Sequence, residues 1–262
     1  MKVTVDGREV FATTGGTDFD PAKPAVVFLH GAGFDRTAWR LQTRWFAHHG
    51  RSVLALDFPA HGRSDGPALT SIPAMADWTA KFIAAAGLKS AALVGHSMGA
   101  LVALDCAARH AEKVRALALC GVAVEMPVHP EMIESAKANT LKVQELMTFW
   151  GMGNALHKGG MVSPGLWLRR ESLAVLDGNK PGVIHADLAA CNAYKDAPAR
   201  AAEVKCPTVL ILGDGDLMTP APKAKPLAAA IAGAKTVVIP NCGHFMMVER
   251  PDETLAALQA NV

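Results

Sequence analysis

The chain has 262 residues, of which 50% are apolar, and a formal net charge of +2 at pH 7. A chain of this length and apolar content can bury the core of one large domain, which excludes a disordered tail. Acidic and basic residues are interspersed, and no run of lysine and arginine is interleaved with aromatic residues, so a nucleic acid is not an expected partner.

The first residues, Met1 to Gly7, lack the apolar segment of a secretory leader, and no uncharged apolar run is long enough to span a bilayer. The sequence therefore predicts a cytoplasmic protein with no membrane partner. The cysteines are Cys106, Cys120, Cys191, Cys206 and Cys242. The number of cysteines is odd and none of them form a C-x-x-C pair, which argues against a disulfide framework and a zinc site. We expect reduced, mostly buried thiols.

Predicted strands and helices alternate along the first half of the chain. An opening hairpin turns at Asp6-Gly7, with strands at 3–5 and 9–13. Buried strands follow at 25–29, 53–56, 93–95 and 114–120, with helical patterns between them at 37–48, 73–86 and 98–110. This alternation predicts an α/β fold with a mostly parallel, doubly wound sheet covered on both faces.

The alternation breaks between residues 124 and 203, where the pattern is helical throughout. It resumes with a strand at 208–212, a helix at 222–231, a strand at 235–239 and a last helix from Pro251. The prediction is a core built from residues 1–123 and 204–262, with a helical insertion at 124–203.

The pentapeptide Gly95-His96-Ser97-Met98-Gly99 lies between a short apolar strand and an amphipathic helix. A G-x-S-x-G pattern between a strand and a helix is typical of a nucleophile elbow. The glycines allow a turn tight enough to expose the serine hydroxyl, and the amide of Met98 begins a helix whose positive end can receive an oxyanion. Ser97 is the candidate nucleophile and Met98 a candidate oxyanion donor.

Four stretches resemble the α/β-hydrolase fold family. They are LHGAG at 29–33, DFPAHGRS at 57–64, the elbow at 95–99, and GDGD at 213–216 together with GHF at 243–245. The order serine, acid, histidine is the one that this family shows. The resemblance spans nearly the whole chain and implies that the insertion at 124–203 is a cap over the active site. Ala60 stands where relatives often place glycine.

A serine hydroxyl needs a neighbouring base to become a good nucleophile. His244 is the candidate, because it follows the predicted strand at 235–239 in a glycine-containing loop that this topology would place over the elbow. Its imidazole needs a carboxylate, and Asp214 and Asp216 compete for that role. The family's spacing of glycine, two residues, aspartate, three residues, proline falls on Gly213, Asp216 and Pro220, which implies Asp216.

By the same resemblance, the second oxyanion donor is the amide of Ala32. Gly31 and Gly33 on either side would let the backbone approach the substrate closely. Gly31-Ala32-Gly33 is not a dinucleotide fingerprint, because Arg36 occupies the place of the third glycine. Neither a metal nor an organic cofactor is expected.

The insertion is rich in apolar side chains, some of which would line the inner face of a cap. They include Met126, Met132, Met147, Phe149, Trp150, Met152, Met161 and Trp167. Trp150 and Phe245 are predicted to contact the substrate, and Met246 and Met247 beside His244 would suit an apolar acyl or alcohol group. Glycines at 151, 153, 159 and 160 would permit movement of the cap.

The resulting hypothesis is a serine esterase that hydrolyses a small apolar ester through an acyl-serine intermediate. Ser97 argues against dehalogenases and epoxide hydrolases of this fold, which require aspartate there. His96 and Phe245 weaken the similarity to carbon–carbon bond hydrolases, which commonly have asparagine and tryptophan. Hydrolysis of a lactone, a thioester or a carbon–carbon bond, acyl transfer, and ligand reception without catalysis remain alternatives, and assembly as a homodimer stays open.

Overall fold

The part of the chain that the computed structural model describes, residues 1–158 and 167–262, contains one eight-stranded sheet. Its strands are β1 (Lys2–Val5), β2 (Arg8–Thr13), β3 (Ala25–Leu29), β4 (Ser52–Leu56), β5 (Ala91–His96), β6 (Val114–Cys120), β7 (Thr208–Gly213) and β8 (Lys235–Ile239). Their order in space is β1-β2-β4-β3-β5-β6-β7-β8. The pairs β1–β2 and β2–β4 are antiparallel and the others parallel, which confirms the predicted mostly parallel sheet.

Helices connect most of the strands and continue after the last one. They are α1 (Arg40–His48), α2 (Ile72–Ala85), α3 (Met98–Arg109), α4 (Pro130–Lys137), α5 (Leu141–Gly151), α6 (Asn154–His157), α7 (Leu168–Asp177), α8 (Val183–Ala193), α9 (Ala197–Glu203), α10 (Lys225–Ala230), α11 (Met246–Glu249) and α12 (Pro251–Gln259). Within residues 1–158 and 167–262, no helix combines the length and the hydropathy that a membrane-spanning helix requires.

The central strands are buried along their whole length. Every residue of β3, β4, β5 and β7 is buried, although successive side chains of a strand point to opposite faces of the sheet. Both faces of the sheet are therefore covered. This explains why these strands are continuous apolar runs rather than alternating patterns.

Differences between predicted and observed helices are confined to short or proline-containing segments. The helix predicted at 37–48 begins as a 3₁₀ turn at Arg36–Trp39, and the one predicted at 222–231 begins as a 3₁₀ turn at Ala221–Ala224. The four-residue helix α11, directly after His244, was not predicted. A single turn is too short to show the helical periodicity on which such predictions depend.

Helices α4 to α9 lie between β6 and β7, where the helical insertion was predicted. Helix α4 packs against α5 and α8, and α5 packs against α7. The last of them, α9, packs instead against α3 and α10 of the core. We therefore refer to the segment from α4 to α8 as the cap.

A buried carboxylate fastens this region to the core. Asp105 of α3 is fully buried, and its Oδ1 accepts a hydrogen bond from the hydroxyl of Tyr194 at 2.8 Å. Its Oδ2 accepts one from Nε of Arg109 at 2.7 Å. A buried carboxylate is tolerated when it is paired and hydrogen-bonded in this way.

The parallel strands bring the candidate residues to one edge of the sheet. Ser97 follows the end of β5, Asp216 follows β7 and His244 follows β8. The loop that contains Ala32 follows β3. Ligands of open α/β sheets bind outside the carboxyl ends of the strands, so this edge is where a site is expected.

Candidate active site

The turn at Ser97 has the conformation of a nucleophile elbow. Ser97 has φ 53° and ψ −115°, in a region that a non-glycine residue rarely adopts. A side chain at Gly95 would overlap the backbone of Gly99, and one at Gly99 would lie 2.6 Å from the carbonyl oxygen of His30. The two glycines therefore allow strand, helix and loop to meet here. The backbone conformation of Ser97 costs about 1–3 kcal/mol, and the surrounding structure keeps the residue in it.

The carboxylate of Asp216 is held by the turn that follows it. Its Oδ1 accepts hydrogen bonds from the amides of Met218 and Thr219, both at 2.8 Å. Its Oδ2 accepts one from the Thr219 hydroxyl at 2.6 Å and one from Nδ1 of His244 at 2.8 Å. Burial by itself would raise the pKa of Asp216, but the His244 charge and these hydrogen bonds outweigh it and lower the pKa to about 2. Asp216 is therefore a carboxylate at neutral pH.

His244 is joined to Asp216 and not to Asp214. Asp214 is exposed, and its Oδ1 accepts a hydrogen bond from the amide of Cys242 at 3.2 Å. Because Nδ1 of His244 donates to Asp216, the proton of a neutral imidazole sits on Nδ1 and Nε2 carries the free lone pair. Nε2 is buried, and no hydrogen-bond partner for it is found in residues 1–158 and 167–262.

Ser97 and His244 line the same cavity, so the structure brings hydroxyl, imidazole and carboxylate to one place. The hydrogen bonds of the described residues include His244–Asp216 and do not include Ser97–His244. Catalytic hydrogen bonds are often long or poorly aligned in an unliganded site and tighten when substrate binds. Two of the three groups are therefore linked directly, and the third stands at the same cavity wall.

A buried carboxylate that sequence reasoning missed holds the loop around His244. Glu249 is 3% exposed, and its two oxygens accept hydrogen bonds from the amides of Gly243 and Phe245 at 2.9 and 3.0 Å. They also accept one from the cap, the amide of Gly153, at 3.0 Å. Burial raises the pKa of Glu249, and the three amides offset part of that rise. The only sequence signal was a glutamate five residues after the histidine.

The glycines of the cap serve close packing. The amide of His244 donates to the carbonyl oxygen of Gly151 at 2.6 Å. A Cβ at Gly151 would overlap the ring of Phe245, with its Cζ at 2.7 Å, and one at Gly153 would lie 3.0 Å from the amide nitrogen of Gly243. Gly151 and Gly153, expected to permit cap movement, therefore let the cap touch the His244 loop. Residues 159 and 160, which shared that expectation, lie outside the described residues.

The loop after β3 lies against the elbow. A Cβ at Gly31 would lie 2.8 Å from Nδ1 of His96 and 3.3 Å from Cβ of Ser97. Ala32 lines the cavity, and its amide has no backbone or side-chain acceptor among the hydrogen bonds of the described chain. Met98 is the first residue of α3, so its amide has no acceptor within the helix. These two amides are therefore free to bind an anion beside Ser97.

Gly33, predicted to bind substrate, does not line the cavity. Its φ is +67°, and a Cβ there would lie 2.9 Å from Cδ2 of Leu176 in the cap. The glycine is required because helices of the cap approach the loop at this point. Gly33 therefore contacts the cap, whereas Gly31 faces the cavity.

Two buried histidines stabilise the backbone of the site in their neutral form. Nε2 of His96 lies 2.9 Å from the carbonyl oxygen of His244, to which it donates. Burial and the charge of His244 lower the pKa of His96 well below its usual value. Nε2 of His30 accepts a hydrogen bond from the amide of Phe58 at 3.1 Å, and burial lowers the pKa of His30 to about 4. His96 thus joins the elbow to the loop of His244.

The cavity has a volume of about 230 Å³ and lies between the cap and the carboxyl edge of the sheet. Trp150 and Phe245, the residues predicted to contact substrate, line it, and so do Met126, Met132 and Met147. Sequence reasoning missed Val128, His129, Leu188, Cys191, Leu217 and Met218. Within the described chain, no lysine, arginine, aspartate or glutamate lines this cavity. The site therefore favours uncharged, apolar groups.

Other apolar residues of the cap and of the His244 loop lie elsewhere. Met152, Met246 and Met247 are buried but do not line the cavity, and Phe149 and Trp167 are largely exposed. Met161 lies outside the described residues. Met246 and Met247 begin α11, which turns their side chains into the core rather than toward a substrate. Proximity to His244 along the chain was not sufficient to place a side chain in the site.

The cysteines are free, and all but Cys206 are buried, as expected. Burial raises the pKa of the Cys106 thiol to about 12, and it also raises the pKa of the Cys191 thiol. Among the residues that the structure describes, no group of three or more histidine, cysteine, aspartate or glutamate side chains is arranged to hold a metal ion.

Comparison with known proteins places this geometry in a family. The profile described as "Alpha/beta hydrolase family" matches residues 26–258. The pimeloyl-[acyl-carrier protein] methyl ester esterase of Chromobacterium violaceum is 32% identical over 254 residues, which cover 90% of this chain and 92% of that protein. The (E)-2-((N-methylformamido)methylene)succinate hydrolase of Acinetobacter baylyi is 24% identical over 241 residues and covers 90% of this chain and 89% of its own length.

Solved structures show the same fold. The enol-lactonase from Burkholderia xenovorans superposes with a TM-score of 0.88 at 22% identity, covering 99% of this chain and 98% of that one. An identity this low supports the fold, and it carries no information about the substrate.

Proposed function

The chain belongs to the alpha/beta hydrolase family, and from that premise we propose that it is a serine hydrolase that cleaves carboxylic esters of small apolar substrates. The observation that carries the proposal is the ionised Asp216 bonded to Nδ1 of His244, with Nε2 of the same ring unpartnered in the described chain and Ser97 at the same cavity. This arrangement provides a nucleophile, a base and an orienting carboxylate.

In the proposed reaction, Nε2 of His244 takes the proton of the Ser97 hydroxyl as Oγ attacks the ester carbonyl carbon. The carbonyl oxygen becomes an oxyanion, which the amides of Ala32 and Met98 stabilise. Asp216 holds the imidazole in its productive tautomer and stabilises the imidazolium. Collapse of the tetrahedral intermediate breaks the ester bond, and His244 returns the proton to the leaving alcohol.

The acyl-serine is then hydrolysed by the same groups. His244 takes a proton from water, and the resulting hydroxide attacks the acyl carbon through a second oxyanion. When this intermediate collapses, the acid leaves and Ser97 recovers its proton from His244. The cap covers the cavity with apolar side chains such as Met147 and Trp150, which support selection of an apolar acyl or alcohol group.

The proposal is tested by hydrolysis of p-nitrophenyl acetate, butyrate and octanoate by wild type and Ser97→Ala. We expect Ser97→Ala to keep its fold and to lose turnover by about a thousandfold or more. Ser135→Ala is the matched control, because Ser135 is a buried serine of the cap that does not line the cavity. Near-normal turnover by Ser97→Ala would refute the proposal.

The same assay distinguishes the other reactions open to this machinery. Parallel reactions with lactones and thioesters identify the bond that is cleaved. Product analysis with an added alcohol or amine shows whether the acyl group passes to an acceptor other than water. Tight binding of these compounds without turnover would instead identify a receptor on this fold.

A further inference from the structure

A buried carboxylate of the cap reaches the loop of the candidate oxyanion hole. Asp187 of α8 is fully buried, and its Oδ2 accepts a hydrogen bond from the amide of Gly33 at 2.8 Å. The same oxygen lies 2.8 Å from Nε2 of His61. Its other oxygen, Oδ1, has no partner among the hydrogen bonds of residues 1–158 and 167–262. Burial of a carboxylate in this position costs desolvation energy. The role of Asp187 must therefore follow from its two contacts, with Gly33 and with His61.

The cap binds both polar groups of the Gly33 backbone. The amide of Gly33 is held by Asp187, and the carbonyl oxygen of Gly33 accepts a hydrogen bond from Nδ2 of Asn179 at 2.6 Å. A Cβ at this position would lie 2.9 Å from Leu176 and 3.1 Å from Ile184. The residue that directly follows Ala32 is thus fixed from the cap side.

His61 completes the contact as a cation. Its Nδ1 lies 3.1 Å from the carbonyl oxygen of Pro59, and its Nε2 faces Asp187. Both neighbours are acceptors, so only an imidazolium, with a proton on each nitrogen, satisfies both. Burial lowers the pKa of His61, but Asp187 outweighs that effect and the pKa is raised. The other titratable groups that act on His61 are His30, with ring centroids 4.8 Å apart, and Asp57.

We propose that Asp187 is a positioning residue for the oxyanion hole. By binding the amide of Gly33, Asp187 holds the amide of Ala32 beside Ser97. Ala32 is fixed on one side by Gly31, which lies against His96 and Ser97, and on the other by the cap. The inference rests on the proposed function. It adds that the cap and the oxyanion donor move as one unit.

Substitution at Asp187 separates its hydrogen bond from its charge. Asp187→Ala leaves the Gly33 amide and the His61 ring without their acceptor. In Asp187→Asn, an amide oxygen in the place of Oδ2 can still accept from the amide of Gly33 and from a protonated Nε2 of His61, so both hydrogen bonds remain while the charge is removed. Asp105→Ala is the matched control, because Asp105 is equally buried and bonds Tyr194 and Arg109 instead of the loop. Asn179→Ala removes the second bond to Gly33 from a partly exposed position and tests the same link without a buried charge.

Two readouts are measured for each variant. Amide hydrogen exchange of residues 30–35 reports whether the loop is held, whatever the substrate. The values of kcat and KM for p-nitrophenyl butyrate, with the affinity for phenylboronic acid, report oxyanion stabilisation. For Asp187→Ala we expect exchange at least about tenfold faster and kcat lower by about tenfold to a hundredfold, with KM within about threefold. The boronic acid should bind more weakly by a similar factor.

Asp187→Asn should stay within about threefold of wild type in both readouts, and Asn179→Ala should show a smaller change in the same direction. Asp105→Ala should lower the melting temperature without selective exchange at 30–35. The proposal is overturned if Asp187→Ala leaves exchange and kcat unchanged, or if Asp105→Ala reproduces both changes. If Asp187→Ala does not fold, unchanged exchange and kcat in Asn179→Ala overturn it. If Ser97→Ala shows that the esterase assignment is wrong, the exchange measurement still decides whether Asp187 holds the loop.

Discussion

Replacing Gly151 by alanine tests how closely the cap is packed on the loop of His244. The new methyl group would lie 2.7 Å from Cζ of Phe245, where ordinary contact between carbon atoms begins near 3.4 Å. The ring is confined, because it is 3% exposed and packs on Phe34 and His96 with centroids 5.1 and 5.8 Å away. Cε2 of the same ring would lie closer still, so ring or cap must move by about 1 Å.

Overpacking of this kind costs about 1–3 kcal/mol, and a confined ring belongs at the upper end. Gly151 is the last residue of α5, so the higher helix propensity of alanine would offset up to about 1 kcal/mol of this cost. We expect a net destabilisation of about 1–2 kcal/mol, which lowers Tm by about 2–8 °C for a chain of this size. Because Phe245 adjoins His244, kcat should also fall by about tenfold.

The assay is thermal unfolding followed by circular dichroism, with p-nitrophenyl butyrate hydrolysis. Gly178→Ala is the control, since Gly178 follows α7 of the cap and a Cβ there would meet only Val175 O at 3.4 Å and Ala174 O at 3.6 Å. It should be neutral or slightly stabilising. In a Phe245→Leu background the cost of Gly151→Ala should shrink by about 1 kcal/mol, because the obstructing ring is gone. Equal Tm and kcat for Gly151→Ala and wild type would show that Gly151 and the ring of Phe245 are not tightly packed.

Three further predictions concern the turn after β4 and the acid of the site. Ala60 has φ +72°, which glycine adopts more easily than alanine, so Ala60→Gly should raise stability by up to about 1 kcal/mol. Ala84→Gly in α2 should lower stability by about as much. Urea unfolding of the two variants checks the opposite signs. Thr219→Val removes the hydroxyl that lies 2.6 Å from Asp216, and it should lower kcat by about three- to tenfold at unchanged KM in the ester assay. The pKa of Asp216 is lowered from its usual 3.8 to about 2, so it contributes about 2 kcal/mol of stability above pH 3.8 that is lost as the pH falls toward 2. Urea unfolding between pH 5 and pH 2 should show this loss in wild type and not in Asp216→Asn.

Much of the fold is determined by sequence patterns that are local. The strand at 25–29 coincides with β3, and the segment 114–120 coincides with β6, because buried parallel strands are predominantly apolar runs between polar turns. The elbow around Ser97 could be predicted for a similar reason. Gly95 is required by a contact within a few residues, with Gly99, whereas the need for Gly99 comes from the backbone of His30 and depends on the fold.

The tertiary structure decided which side chains meet across long separations. Asp214 and Asp216 both follow β7; the resemblance implied Asp216, and the fold shows the contacts, with Asp216 bonded to His244 and Asp214 to the Cys242 amide. Likewise, Met246 and Met247 adjoin His244 in the chain but point into the core, whereas Leu188 from the cap lines the cavity.

The links between cap and core were also beyond the sequence. Asp187 binds Gly33 across 154 positions, and Glu249 binds Gly153 across 96. An isolated acidic residue in a helical pattern is typical of a solvated face, and burial against a partner from another element leaves no periodic signal. Local patterns along the chain were therefore sufficient to predict the sheet, the order of the elements and the nucleophile turn. How the cap holds the two loops of the site became visible in the folded chain alone, because those contacts depend on the packing of elements distant along the chain.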